Sequence, residues 1–573
     1  MAQAPEADEV LRGLRQHWPT TGQRIFLTLL ATALGCWIGI RGVQPVDPLP
    51  RDAQVFSSIR ASTLTRQLLG DQPRPIGSPA NDMAVKRLAQ FLQRRGLEVE
   101  VSEAPIRVHG HDVVLRNVVA RKRGTIEGAA VLLVAHHDSV AQSPGASDDG
   151  IGVAVVVEAA IALTSEPWKG RDIILLLTDG EEAGLLGAKY FADSHRWFKD
   201  VGMVLNIDNR GNSGPCLLYE TGMHDARVMQ WVAPALSDGV ANSFFAEVSK
   251  HTPHGTDFAV FRDRELPGLN FALIGGHADY HQPTDTWDRV NLSSMQQQGN
   301  MVLAALYTLG MVGSDEFVES GRSVFLDVGG TVIAWCTARA GVVMAFGCAI
   351  GLPLLGWFMA PQRLARRKIM VYGFAATAVR LIVAMLVSWW LLRSMEWMGL
   401  FGPESLNDAV PQSSGHERFR LGYWPWSGPW LLGGVAVAAI ATAWVSSKRL
   451  MRGDAMMMAC GSWFCLALIT FLFALAVPGV TAPLLPVIIV ATMVAAICCF
   501  VLDSTARVSG VLFVTLPTCM AAITLTPLEL LGWDAVGLSM PLFSAARFAL
   551  FAAIVLAAVT VPRHASLTQP LHK

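Results

Sequence analysis

Residues 128–150 read GAAVLLVAHHDSVAQSPGASDDG. An apolar run this short, ending abruptly in polar residues, reads as a strand buried on both faces rather than as a helix. The seventeen residues 134–150 then gather His136, His137, Asp138, Asp148 and Asp149, where the chain leaves that strand. The pattern recurs downstream. Besides 129–135, the runs at 172–178, 203–207 and 269–274 are expected strands. Helical spacing of apolar residues is expected at 84–95, 151–163, 182–198 and 292–309. Strands alternating with helices predict an α/β domain, a largely parallel twisted sheet flanked by helices. In such sheets, sites form beyond the carboxyl ends of the strands.

Each expected strand empties into a carboxylate or a histidine. His136 and Asp138 end the first, with Asp148 and Asp149 after a Gly-containing loop. Glu181 and Glu182 follow the second, Asp208 ends the third, and His281 lies beyond the fourth. One His, one Asp, one Glu, one Asp and one His make five oxygen or nitrogen donors. A single zinc takes about four ligands, and a catalytic one leaves a position open to water. Five donors suit two metals about 3.5–4 Å apart when one carboxylate bridges. The other member of the Glu181–Glu182 pair is then free to take a proton from water.

These residues resemble the co-catalytic dizinc aminopeptidases, a family that includes enzymes of the glutamate carboxypeptidase II type. The resemblance covers roughly residues 60–312. It rests on His136-His137-Asp138-Ser139, on Gly145 to Gly150, on Gly180 to Gly184, on Asn206-Ile207-Asp208 and on Tyr280 to Thr286. It implies a zinc-exopeptidase sheet and two Zn2+ ions, one on His136 and Asp208, the other on Glu182 and His281, with Asp148 bridging. It makes Glu181 the general base and Asp138 the acceptor of a hydrogen bond from His136. Tyr280 matches a tyrosine that helps stabilise the oxyanion in some members, and the Asp148–Asp149 bond is one that is often cis in the family.

Other polar residues have plainer readings. His137 is expected to be structural, because strand alternation turns it away from His136. His277 is a competitor of His281 for the metal. Asp285 either orients His281 or caps a turn. Arg210 either grips a substrate carboxylate or serves a structural ion pair. His251, His254 and Asp257 sit in a polar loop with no metal role expected. Phe258 and Phe261 are expected in the core.

The 573 residues are too many for one ordinary domain. They are 52% hydrophobic and 16% charged, and the charge deficit lies in residues 340–562. A net charge of −1 gives no sign of a nucleic-acid partner. Of nine cysteines only Cys216 lies in the globular stretch, and there is no CxxC pair, so the soluble part is expected to fold without an internal disulfide.

The organisation expected is a cytoplasmic segment 1–24, a transmembrane anchor 25–43, an extracytoplasmic peptidase domain 44–320, and a transmembrane domain 321–573 of about seven helices with an outer loop at 393–428. An uncleaved anchor is preferred to a signal peptide because the polar stretch before it is long. The spans expected are 340–360, 369–392, 429–446, 455–477, 481–502, 508–526 and 542–562. Basic residues Arg363, Arg366, Arg367, Lys368, Lys448, Arg449, Arg452, Arg507, Arg563 and Lys573 follow every second span. The positive-inside rule then puts both termini in the cytoplasm and the peptidase domain outside it, periplasmic in a bacterial inner membrane or luminal in a eukaryote. Cysteine usage and a single sequon at Asn291 favour the bacterial case. Arg380, mid-span, marks a functional position or pairs with a neighbouring helix.

The function expected is a membrane-anchored dizinc exopeptidase that acts on the N-terminus of peptides, a metal-bound hydroxide attacking with Glu181 as general base. Its partners are peptide substrate and the lipid bilayer; the sequence sets no oligomeric state. Carboxypeptidase or glutaminyl-cyclase-like chemistry on the same scaffold, and a non-catalytic receptor or transport module, are the alternatives.

Overall fold

The computed structural model describes residues 21–108, 110–236, 239–250, 255–312, 321–359, 364–397, 442, 455–500 and 507–536. An apolar helix, α1 (Thr21–Gly42), comes first. Helices α2 (Ser58–Leu69) and α3 (Pro79–Arg94) follow, started by Ser57 and Ser78, whose hydroxyls accept from the N–H groups of Arg60 and Asn81. Then come β1 (Glu98–Val108), β2 (His111–Lys122), β3 (Ala130–His136), α4 (Gly150–Ser165), β4 (Ile173–Thr178), α5 (Leu186–Ser194) and β5 (Val201–Ile207). Next are β6 (Ser213–Thr221), α6 (Ala226–Val232), β7 (Val240–Ala241), α7 (Ser243–Ser249), α8 (Asp257–Arg262), β8 (Gly268–Gly275) and α9 (Leu292–Gly310). A hairpin of β9 (Ser323–Val328) and β10 (Val332–Thr337) closes the series.

The sheet runs β1-β2-β4-β3-β5-β8-β6-β7. Its centre, β4-β3-β5-β8, is parallel. The flanks are mixed: β2 pairs antiparallel with β1 and β4, β6 antiparallel with β8, and β7 parallel with β6. The expected parallel character therefore belongs to the centre. Every residue of β3 and β4 is buried, and strand alternation sends them into two cores. Val131, Leu133, Leu175 and Leu177 join α2, α3, α4 and α9 on one face. Leu132, Val134, Ile174 and Leu176 join Phe191 of α5 and Phe258 and Phe261 of α8 on the other. Each such side chain contributes roughly 1.5–3 kcal/mol on burial, enough to fix the central register and so the positions of the strand ends.

One expectation is corrected. The helix expected at 182–198 starts only at Leu186 and ends at Ser194. Gly180 and Leu185 both take left-handed backbone angles (φ 68° and 60°), which holds Glu181 and Glu182 in a turn outside the helix. The compact unit that holds the sheet includes Arg41–Ala338. The β9–β10 hairpin, read from sequence as part of the membrane half, is bridged to this unit between Asn242 and Leu326. Phe325 and Ile333 bury their side chains in its core.

The other unit is helical. Beside α1 it contains α10 (Ala338–Phe358), α11 (Leu364–Trp397), α12 (Ala455–Ala476), α13 (Leu485–Phe500) and α14 (Arg507–Val536). Among the described residues, three helical segments are long and apolar enough to cross a membrane: Ala338–Phe358, Arg367–Leu391 and Met457–Ala476. The expected outer loop loses its first residues to α11, which continues to Trp397. Most of that loop, and the expected spans 429–446 and 542–562, lie outside the described residues. Arg380 is fully buried on the face of α11 that also carries Thr377 and Ser388.

Candidate active site

The polar loop after β3 is shaped by backbone demands. Gly145 has φ 62°, and a Cβ there would meet Asp148 O and Ser139 Cβ at 2.6 Å. Asp149 caps α4 by accepting from the N–H of Gly152 (3.1 Å), and a Cβ on Gly152 would lie 2.0 Å from Asp149 Oδ2. The Asp148–Asp149 peptide bond is cis.

These constraints bring the expected donors together. Asp148 directs one carboxylate oxygen to each of two histidines: Oδ1 lies 3.1 Å from His136 Nε2, and Oδ2 lies 3.1 Å from His281 Nε2. The same His281 nitrogen is 3.1 Å from Glu182 Oε2. Two adjoining groups of possible metal ligands result. His136, Glu181 and Asp208 form one, and Asp148, Glu182 and His281 the other, the ligand atoms of each lying within 4.8 Å of one another. Glu181 thus sits with the donors His136 and Asp208. His281 holds a left-handed backbone (φ 58°), unusual for a residue with a side chain. His277 belongs to neither group.

The electrostatics call for cations. Burial and the neighbouring acids push Asp208 up to about 8, and burial and Asp208 raise Glu181 well above the usual carboxylate range. Asp148 is lowered despite burial, by its hydrogen bonds to His136 and His281. His281, which burial alone would lower, is pushed up to about 10 by Glu182 and Asp148. Crowded, buried carboxylates cannot all ionise without a compensating positive charge. Buried Glu182 Oε1 and His136 Nδ1 also lack a hydrogen-bond partner. Imidazole and carboxylate together are the donor set of zinc, and the residues fit that metal.

The surrounding residues differ in part from expectation. Asp138 Oδ1 is 3.5 Å from His136 Nδ1, long for a hydrogen bond. Its carboxylate instead accepts from the backbone N–H groups of Glu181 (3.2 Å) and Glu182 (3.3 Å), fixing the turn that carries both. Asp285 neither orients His281 nor simply caps a turn. It accepts from the N–H and hydroxyl of Ser147 (2.8 and 2.6 Å) and from the N–H of Asp148 (3.3 Å), so it aims the residue facing both histidines. His137 is structural: its ring nitrogens meet Asn81 Oδ1 (2.8 Å) and the Arg116 carbonyl (3.0 Å), and burial lowers it to about 4. Tyr280 stacks on His281, ring centroids 3.8 Å apart, and Arg210 lies 5.3 Å from the same tyrosine ring. Phe258 and Phe261 are core residues. His251 and His254 lie outside the described residues.

Sequence reasoning missed the supports. Arg74 is fully buried and donates to the carbonyls of His137 (2.9 Å), Pro144 (2.5 Å) and Gly145 (3.0 Å), clamping the loop between His136 and Asp148. No local pattern marks it. Asn209 donates to Asp149 Oδ1 (2.9 Å) and accepts from Gln298 Nε2 (2.7 Å) and the N–H of Leu273 (2.8 Å). Here a signal existed. Gln296, Gln297 and Gln298 are consecutive within an otherwise apolar helix, so some must be buried and hydrogen-bonded. Asp257, passed over for metal binding, is buried, accepts from the Thr178 hydroxyl and lies close enough to raise both Glu181 and Asp208.

Residues 117–306 match the profile of peptidase family M28. The chain is 31% identical over 291 residues to endoplasmic reticulum metallopeptidase 1 of Rattus norvegicus, covering 48% of this chain and 32% of the relative. It is 27% identical over 294 residues to the vacuolar membrane protease of Candida dubliniensis, covering 48% and 30%. The alignments thus span about a third of the length of these curated relatives. Among solved structures, an aminopeptidase from Aneurinibacillus sp. strain AM-1 aligns with 46% of this chain and 96% of its own at 16% identity and a TM-score of 0.37. A glutaminyl cyclase from Porphyromonas gingivalis aligns with 44% and 99% at 21% identity and the same score.

Proposed function

We propose that this chain is a membrane-anchored dizinc exopeptidase that removes residues from the N-terminus of peptides. The observation that carries the reading is the position of Asp148, one carboxylate oxygen toward His136 and the other toward His281. His136 and Asp208 would hold one zinc and Glu182 and His281 the other, with Asp148 serving both. Bound zinc supplies a lowered water pKa and a polarised carbonyl. Glu181, beside His136 and Asp208, takes the proton of the attacking water and returns it to the leaving amine. Asp138 keeps Glu181 in place through the turn N–H groups. The Tyr280 hydroxyl donates to the oxygen on which negative charge develops. The surplus of carboxylates, Asp257 included, favours a substrate ammonium over a blocked terminus. The helices anchor the chain in the bilayer, and the placement of basic residues supports cytoplasmic termini with an extracytoplasmic peptidase domain.

The test uses the full chain in detergent with zinc and a pentapeptide in free and N-acetylated forms. The free peptide is expected to lose single residues from its amino end while the acetylated one stays intact. Equal cleavage of both contradicts the aminopeptidase reading.

A further inference from the structure

Past Asp208 the chain continues alongside β8. The N–H groups of Asp208 and Arg210 donate to the carbonyls of Phe271 and Leu273 (3.1 and 3.0 Å). In such extended pairing, residues two apart face the same side. Asn209, between them, faces the other way, to Asp149 and Gln298. Arg210 therefore lies two residues past a donor of the candidate metal centre, within about 7 Å along the chain.

Arg210 is half-buried. Among the described residues its guanidinium has no carboxylate partner, and its described contact is the Tyr280 ring at 5.3 Å. Nearby arginines are engaged. Arg74 is held by three carbonyls, Arg289 by Asp279 and Arg262 by Glu220. Among the described residues, then, no carboxylate of the fold neutralises this cation. Its charge also runs against the cation-seeking character of the adjoining donors, so it suits a different part of the substrate.

We propose that Arg210 binds a substrate carboxylate on the leaving side of the scissile bond. The site is then selective for peptides with an anion there, either the free C-terminus of a dipeptide or an acidic side chain on the residue after the bond. The planar guanidinium matches a carboxylate with two parallel hydrogen bonds, and the Tyr280 ring keeps it in place. This inference rests on the peptidase reading above.

The experiment compares kcat/KM of the zinc-loaded full chain on three substrates that share an N-terminal residue: a dipeptide with a free C-terminus and an uncharged second side chain, its C-terminal amide, and the corresponding amide with glutamate after the scissile bond. In the wild type, one or both anionic substrates are expected to exceed the neutral amide by roughly 10- to 100-fold, mainly through KM. Preference for the free dipeptide identifies the C-terminus as the anion, and preference for the glutamyl amide identifies the side chain. In Arg210→Gln the anionic-to-neutral ratio, taken within the variant, is expected to fall to within about threefold of one, with Arg210→Lys intermediate. A wild-type ratio near one, or a ratio that survives Arg210→Gln, overturns the assignment while leaving the peptidase reading intact. Failure to cleave any of the three while the free pentapeptide is still shortened overturns the assignment alone; failure on the pentapeptide as well overturns both.

Discussion

The centre of the sheet and its β1–β2 edge handle charge in opposite ways. At the edge, opposite signs are matched: Arg116 pairs with Glu103 and Asp82, and Arg123 with Glu98 and Asp172. At the centre, β4, β3 and β5 run in the same direction, so their carboxyl ends lie side by side and deliver like charges to one place. Glu181, Glu182 and Asp208 gather there around Asp148, and among the described residues His136, His281 and the buried Arg74 offset them only in part. The edge is balanced within the protein. The centre is balanced only when something positive is added, and that difference separates a surface from a candidate metal site.

Four measurements test this contrast. The largest effect is expected from Glu181→Gln, which removes a proton acceptor but keeps shape. Turnover should fall roughly 10²–10⁴-fold while bound zinc is unchanged, measured by peptide hydrolysis alongside metal analysis. Activity near the wild-type rate would remove Glu181 from the chemistry. Next, Asn209→Leu cuts the links among Asp149, Gln298 and Leu273 that support the centre from below. Zinc affinity should weaken about 10- to 100-fold, by competition with a chromogenic chelator.

A buried acid away from the centre tests burial without crowding. Asp327, on β9, accepts from the N–H of Gly330, and burial raises it from an ordinary 3.8 to about 7. A raised carboxyl favours the folded state fully below about pH 4, and that contribution is lost as the pH rises through 7. Asp327→Asn should therefore gain stability relative to wild type as the pH rises from 4 to 8 in denaturant titrations; a constant difference across that range argues against the assignment. The smallest effect belongs to the edge: Arg123→Ala should change stability by no more than about 0.5 kcal/mol, because its ion pairs are exposed.

The parts of the fold legible in sequence were those with both faces buried. β3, β4, β5 and β8 are short apolar runs with no other reading. The flanking strands were not legible. β1, EVEVSEAPIRV, alternates exposed and buried positions with acids among them, and β6 and the β9–β10 hairpin lack a long apolar run. The donors stood out because acids and histidines at the ends of buried strands are conspicuous. Arg74, Asn209 and Gln298 did not, since each acts through backbone carbonyls or amides brought close only by the fold. Asp285 was visible, but its partner was not. Its target is the Ser147–Asp148 backbone, 137 positions away from it at Asp148, not the nearby His281.

The central claim is that five side chains distant in sequence form one centre for two cations. Metal analysis of the full chain, purified in detergent, equilibrated with zinc and desalted, tests it most directly. Two zinc ions per chain are predicted, falling to one or none in Asp148→Asn. One zinc or less in the wild type, or two retained by Asp148→Asn, would contradict it.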